Sequence, residues 1–367
     1  MLGLALPLYP SDEVVAALCE QPGVQSWCLD ETFHPRQAST CLSEPLGCFT
    51  PDLKISGRQW LIQASAKAKM SLQCGLLRVG QRCLYESNLA NLDSKLRLLG
   101  PSASFPPGWW HRPRDPLHYQ HPLLLLTTHN NPNYFHWLTQ PGLAPLFLQE
   151  HFGLSSHSKT AIALSCRPRR SLPSYVRSIL ELLVPDLPVV QSVSIESQTS
   201  SRFSLQEHLS NVFISPAQIY WLNRRCRNAV WSQQKPHRRL FISRKNTSRR
   251  RCLNEDQLFA SLLPLGFERL LMEELDVTRQ IQVFSESQIV IASHGAGLAN
   301  LVACTSQTKV IELVPRGLDL SHYFIISDIL GLKHGHVPAC YQDPESDNFA
   351  VDITDVLCLL REMIDVD

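Results

Sequence analysis

The sequence predicts an α/β protein made of two successive doubly wound halves. Three observations carry this. Apolar, strand-like runs alternate with helical segments from residue 122 onward. The alternation pauses over a basic helical stretch at about residues 215–237 and then restarts. The 367 residues also exceed what one ordinary core requires.

Composition sets outer bounds. The chain is 44% hydrophobic and 18% charged, as expected of a globular protein. A net charge of +1 provides no overall field to recruit nucleic acid or an anionic membrane, so any anion must be caught by a local site. The N-terminus, MLGLALPLYP, lacks a basic n-region and is interrupted by Pro7 and Pro10, which makes a poor signal peptide. No stretch reaches the length of a membrane span. A cytoplasmic location is therefore expected, with peripheral membrane association left open. The twelve cysteines contain no Cys-x-x-Cys pair and no zinc spacing, so free thiols are expected.

Residues 1–120 are rich in Pro, Gly, Ser and Cys and read as irregular, with strand-like runs at Gln59–Gln63 and Leu76–Val79. Pro101–Pro116, with Trp109 and Trp110, reads as an ordered loop. Pro122–Thr128 is then a buried strand, and a helix follows over Tyr134–Glu150. Strands at Thr160–Ser165, Val189–Val193 and Asn211–Ser215 flank a helix at Ser174–Leu183. The helical linker carries Arg224, Arg225 and Arg227. The second block reads strand Arg239–Ser243, helix Asn254–Leu263, strand Phe267–Met272, helix Val277–Ser285, strand Gln288–Ser293, helix Ala296–Ala303 and strand Lys309–Val314. A helix at Tyr323–Leu330, a short strand at His334–Pro338 and an amphipathic helix at Ile353–Ile364 complete it. Residues 1–215 thus form one domain and 216–367 a second, with the last helix free to pack back on the first.

The densest chemical signal is Gln288–Asn300, QIVIASHGAGLAN. An apolar strand runs into Ser293-His294-Gly295-Ala296-Gly297, where a helix begins. Glycines there let backbone approach a ligand, and the amides of a helix start favour an anion such as a diphosphate. His294 can donate to a phosphate oxygen, and Asn300 is counted with the donor-binding residues. The competing reading is a tight turn with no ligand. A second signal, LFISRKNTSRRRCLNE, ends a strand at Ser243 and follows it with Arg244, Lys245 and Arg249–Arg251. Arginines suit bidentate phosphate contacts, and strand tips are where ligands bind in such sheets. At least one of the three consecutive arginines is expected to be ordinary surface.

Glu312 interrupts the apolar strand Lys309–Val314. A buried carboxylate needs partners, either the hydroxyls of a ribose or a salt bridge within the sheet. In the first half, HNNPNYFHW places Asn133, His136 and Trp137 at a strand-to-helix junction, where a neutral imidazole can accept a proton from a sugar hydroxyl.

These runs together resemble glycosyltransferase family 61, the DUF563 group, which includes plant β-1,2-xylosyltransferases and O-GlcNAc transferases acting on EGF repeats and O-mannose. The likeness lies in Ile242–Glu255, the helix with Gln280, the turn Ser293–Asn300, Glu312 and Asn133-x-x-His136-Trp137. It implies a GT-B fold of two facing Rossmann-like domains and an inverting transfer from a nucleotide-diphosphate sugar to a glycan or polysaccharide hydroxyl. No cofactor or metal is implied. By position, Arg244, Lys245, Arg250 and Ser293 to Gly297, with Asn300, would hold the donor. Glu312 would touch ribose, His136 would be the base or an acceptor contact, and Asn133 and Trp137 would flank the acceptor. Two positions depart from the family. Gln140 stands where an acidic residue often follows the His-Trp pair, and Ala299 stands where a hydroxyl is common.

The only Asp-x-Asp, Asp365-Val366-Asp367, is the C-terminal tail. Two alternatives stay open at this point. One is another nucleotide-sugar-using enzyme such as an epimerase, although the sequence has no Gly-x-Gly-x-x-Gly. The other is a non-catalytic nucleotide-sugar-binding protein on the same frame.

Overall fold

The structure is a computed structural model. It describes residues 7–8, 12–73, 76–80, 82–86, 96–99, 117–126, 133–140, 142–154, 159–165, 172–192, 194–208, 213–230, 235–343 and 346–365. The loop with Trp109 and Trp110 lies outside them. The chain divides into two compact units: residues 1–31 with 56–213, and residues 32–55 with 214–367. Residues 32–55, which composition assigns to the first domain, thus belong with the second.

The first unit is more mixed than the doubly wound domain expected. Its six-stranded sheet is parallel where Val189–Ser192, Ala161–Ser165, Leu123–Leu126 and Ser200–His208 adjoin, and antiparallel where Ser200–His208 meets Ile55–Ser65. A seven-stranded sheet built mainly of antiparallel pairs takes up much of the segment read as irregular. No strand forms over residues 213–215. Ser215 instead caps the helix Pro216–Ala229, its hydroxyl accepting from the Gln218 amide. The strand preceding it is Ser200–His208, whose polar-rich sequence hides its alternation.

The helix expected over Tyr134–Glu150 is two helices, Tyr134–Thr139 and Ala144–His151. The sequence between them contains Pro141-Gly142. A Cβ at Gly142 would stand 2.3 Å from the carbonyl oxygen of Trp137, so the chain folds back there only with glycine.

The second unit carries one six-stranded sheet. Numbered in chain order, its strands are 1 (Arg238–Ile242), 2 (Phe267–Leu270), 3 (Ser287–Ser293), 4 (Lys309–Pro315), 5 (Lys333–Asp343) and 6 (Asn348–Ala350). They lie in the order 2-1-3-4-5-6, all parallel except the last pair. This is the 2-1-3-4-5 doubly wound arrangement, not the 3-2-1-4-5-6 of a dinucleotide-binding Rossmann sheet. Its topological switch point lies between strands 1 and 3, so the loops leaving those strands flank the crevice.

One face packs Phe241, Ile289, Ile291, Ile311 and Leu313 against the helices Glu255–Leu262 and Ile353–Asp365. The last helix thus lies on its own unit's sheet. The other face is covered by the helix His322–Leu330 and by residues 39–49, where Phe49 packs with Val314 and Phe324. Arg36 and Gln37 anchor that segment by donating their amides to Asp328 at 3.0 and 3.3 Å.

Candidate functional site

Strand register explains how distant residues meet in the second unit. Ala292 pairs with Glu312 and Glu312 with His336. Side chains alternate between faces, so residues 292 and 294, 312, and 334 and 336 share one face. Glu312 is fully buried there. His294 Nδ1 bonds one carboxylate oxygen, and His334 Nε2 lies 3.2 Å from the other.

The hydrogens in this cluster run one way. The Leu46 amide can only donate, and it donates to His336 Nε2 at 3.2 Å. In a neutral His336 the proton is then on Nδ1, which donates to Ser39 Oγ at 2.8 Å; Ser39 in turn donates to His334 Nδ1 at 2.7 Å. His334 Nε2–H is left to donate to Glu312. Burial alone would raise the Glu312 carboxyl, but the charge and hydrogen bonds of His294 and then His334 bring it down to about 2. Glu312 therefore has the intra-protein partners foreseen as an alternative to ribose, and they are two histidines.

Strand 1 ends at a fixed loop. The carboxylate of buried Glu255 accepts from Ser243 Oγ at 2.5 Å and from the Arg244 amide at 3.2 Å. Thr247 Oγ1 donates to the Arg244 carbonyl at 2.9 Å. The Arg244 side chain turns over the glycine turn after strand 3. One of its terminal nitrogens donates to the Arg249 carbonyl at 3.0 Å, and its Nε is buried with no hydrogen-bond partner among the described residues. Burial first, and the charge of Arg250 second, hold Arg244 down at about 10; Tyr323 and Glu273 partly oppose this. It remains cationic at neutral pH.

The expected donor residues separate into groups. Arg244, Arg250, His294 and Gly295 converge at the switch point. Gly295 is extended (φ 177°), and the absence of a side chain there clears room for Arg244. Gly297 likewise makes way for Met272, whose Cγ would lie 3.0 Å from a Cβ. Residues Ala296–Ala303 wind as a 3-10 helix instead of an α-helix, and the amides of Ala296 and Gly297 precede its first bond, Leu298 N–H to Gly295 O. Ser293 is buried at the strand end. Asn300 is also buried, and its amide donates to Gln280 Oε1 and to the Gly297 carbonyl, both at 3.0 Å, which turns it toward the protein. Lys245 is exposed. Arg249 pairs on the surface with Asp347 at 2.6 Å, so it is the arginine spent elsewhere.

In the first unit, Asn133 caps the helix Tyr134–Thr139, accepting from the Phe135 amide at 2.9 Å. Trp137 is buried and offers no stacking platform. His136 Nδ1 lies 2.5 Å from Gln140 Oε1, and burial holds its imidazole below the ordinary value.

Residues 134–311 match the Glycosyltransferase 61 family. Over that stretch the chain is a glycosyltransferase family 61 sequence. It is also similar to beta-1,2-xylosyltransferase RCN11 of Oryza sativa subsp. japonica, with 33% identity over 64 residues, which span 17% of this chain and 12% of that protein.

Several parts of this candidate site escaped the sequence reading. Tyr323 packs its ring on His294 with centroids 4.8 Å apart and feels the charges of both Arg244 and Arg250. Its place at the start of the helix after strand 4, at the same sheet edge, was the available signal. Glu255 closes the basic motif and could have been read as the anchor of its loop. Ser39 had no local signal, because it reaches His334 and His336 across almost 300 residues of chain.

Proposed function

We propose that this family 61 chain is an inverting glycosyltransferase that moves a sugar from a nucleotide-diphosphate sugar to a hydroxyl of a glycan or polysaccharide. The observation that carries the donor assignment is the Arg244 guanidinium, held over Gly295 with its Nε unpartnered among the described residues and Arg250 beside it. Two neighbouring cations with one buried donor unspent favour a polyanion, and the switch point is where such sheets bind ligands. The leaving nucleoside diphosphate gains negative charge as the sugar–oxygen bond breaks. Arg244, Arg250 and the amides of the glycine turn would stabilise that growing charge.

His136 is assigned as the proton acceptor. The acceptor oxygen bonds to the anomeric carbon with inversion, its proton passes to the imidazole, and the electron pair of the broken bond departs on the diphosphate. Glu312 is assigned to holding His294 in place.

The test is a thermal-shift titration with uridine and guanosine diphosphates on the wild type and on Arg244→Ala. A shift in the wild type that shrinks sharply in the variant supports the reading, and equal shifts remove Arg244 from the site. Hydrolysis of the sugar nucleotide by the wild type distinguishes an enzyme from a protein that only binds.

A further inference from the structure

The departure at Gln140 carries information of its own. The Gln140 side-chain nitrogen lies 3.2 Å from the Phe213 carbonyl oxygen. A carbonyl can only accept, so the amide must aim its NH2 group there. Its oxygen is thereby committed to His136 Nδ1, 2.5 Å away. An amide oxygen is only an acceptor in turn, so Nδ1 must carry the proton. In a neutral ring the lone pair is then on Nε2, which has no hydrogen-bond partner among the described residues.

We propose that Gln140 is a positioning residue that locks His136 in the Nδ1–H tautomer and keeps Nε2 ready to accept a proton. This rests on His136 being the base, as assigned above. A carboxylate at position 140 would do something different, because its charge would stabilise the imidazolium and raise the imidazole's proton affinity. An amide orients the ring without that charge. Among the described residues, the other groups named at this turn are neutral as well. Asn133 caps the helix, Phe213 supplies its carbonyl, and Tyr175 of the helix Ser174–Leu183, edge-on to Tyr134 at 5.4 Å, is a phenol pushed up to about 12 by burial. The charged Arg177 and Glu181 of that helix are exposed. Burial lowers the imidazole and the Gln140 hydrogen bond restores only part of the loss, so the ring is neutral at working pH.

The test is histidine-selective nitrogen NMR on the whole chain, with the His136 signal assigned by its loss in His136→Gln. The expected wild-type spectrum has a protonated Nδ1 and a bare Nε2 at pH 7.5. Gln140→Met should lose that preference and lower the turnover of sugar nucleotide about tenfold or more at every pH. Gln140→Glu should keep the tautomer, raise the His136 titration midpoint by about one unit and carry the acid limb of the pH–rate profile upward with it. The wild-type spectrum reads the tautomer whether or not the Gln140 variants fold. A protonated Nε2 in it, or a titration midpoint unmoved in Gln140→Glu, would overturn the proposal. If the tautomer is as stated but His136→Gln turns over at the wild-type rate, the base assignment fails and the tautomer lock stands.

Discussion

The guanidinium of Arg244 occupies the space that a side chain at Gly295 would need: a Cβ built on Gly295 would lie 2.0 Å from Nη1 and 2.8 Å from Cζ. Gly295→Ala should therefore expel Arg244 from its seat while leaving the extended backbone intact. We expect nucleoside diphosphate affinity to fall about tenfold or more, with a small change in melting temperature, as measured by calorimetric titration and thermal melts. Gly297→Ala is the contrast, because its methyl meets the flexible Met272 side chain instead. It should cost about 1–3 kcal/mol in stability through overpacking and leave affinity much closer to wild type.

Arg250 holds a left-handed backbone conformation, φ 57°, in which its amide donates to the Ser346 carbonyl at 2.9 Å. A non-glycine residue there costs roughly 1–2 kcal/mol. Arg250→Gly should thus weaken diphosphate binding yet melt at or above the wild-type temperature. Arg250→Ala should weaken binding equally without that gain. Arg249→Ala removes only a surface pair with Asp347, worth about 0–1 kcal/mol, and should leave affinity nearly unchanged. Equal losses in Arg249→Ala and Arg250→Ala would contradict the division of labour between them.

The second unit was legible because its strands are short apolar runs between turn signals, and parallel strands buried on both faces leave that trace in sequence. The helix Val277–Ser285 and the strand Ser287–Ser293 were read within a residue of where they lie. Arg244, His294 and Gly295 were legible as a group because strand tips gather at one sheet edge. What stayed hidden is long-range. Residues 32–55 join the second unit through Ser39, Phe49 and the Asp328 contacts, none of which has a periodic signature. The strand Ser200–His208 was missed because three of its nine residues are serine, which reads as a loop. The glycines were detected, but what they make room for depends on side chains from other strands.

Ser39 places its hydroxyl between two buried imidazoles, accepting from His336 Nδ1 and donating to His334 Nδ1. Ser39→Ala strands both nitrogens in a dry interior. A buried polar group without its partner costs about 1–3 kcal/mol, so chemical denaturation should reveal a loss of that size. Ser39→Thr keeps the hydroxyl and should recover part of it. A neutral Ser39→Ala would mean that the bonds through this hydroxyl contribute nothing to stability.

Acid should unfold the protein in two windows. His336 is pushed down to about 4 from 6.5, chiefly by burial and then by His334, with Glu312 partly opposing. As pH falls from about 6.5 toward 4 the unfolded chain binds a proton at this position and the folded chain does not, so stability is lost with each step down. His136, also lowered by burial, adds to the same loss. Glu312 acts lower. Its folded value of about 2 lies under the ordinary 4.5, so the stability it provides is complete above about 4.5 and is lost as pH falls toward 2. Urea midpoints measured from pH 8 to pH 3 should show the first decline beginning near 6.5 and steepening below 4.5. In His336→Gln, whose amide can still accept from Leu46 and donate to Ser39, the upper decline should flatten by an amount on the order of 3 kcal/mol across the window. In Glu312→Gln the lower decline should flatten instead, and stability at pH 7 should drop because two buried imidazoles lose their anionic acceptor. A wild-type midpoint that stayed level down to pH 4 would show that His336 takes up its proton as readily in the folded chain as in the unfolded one.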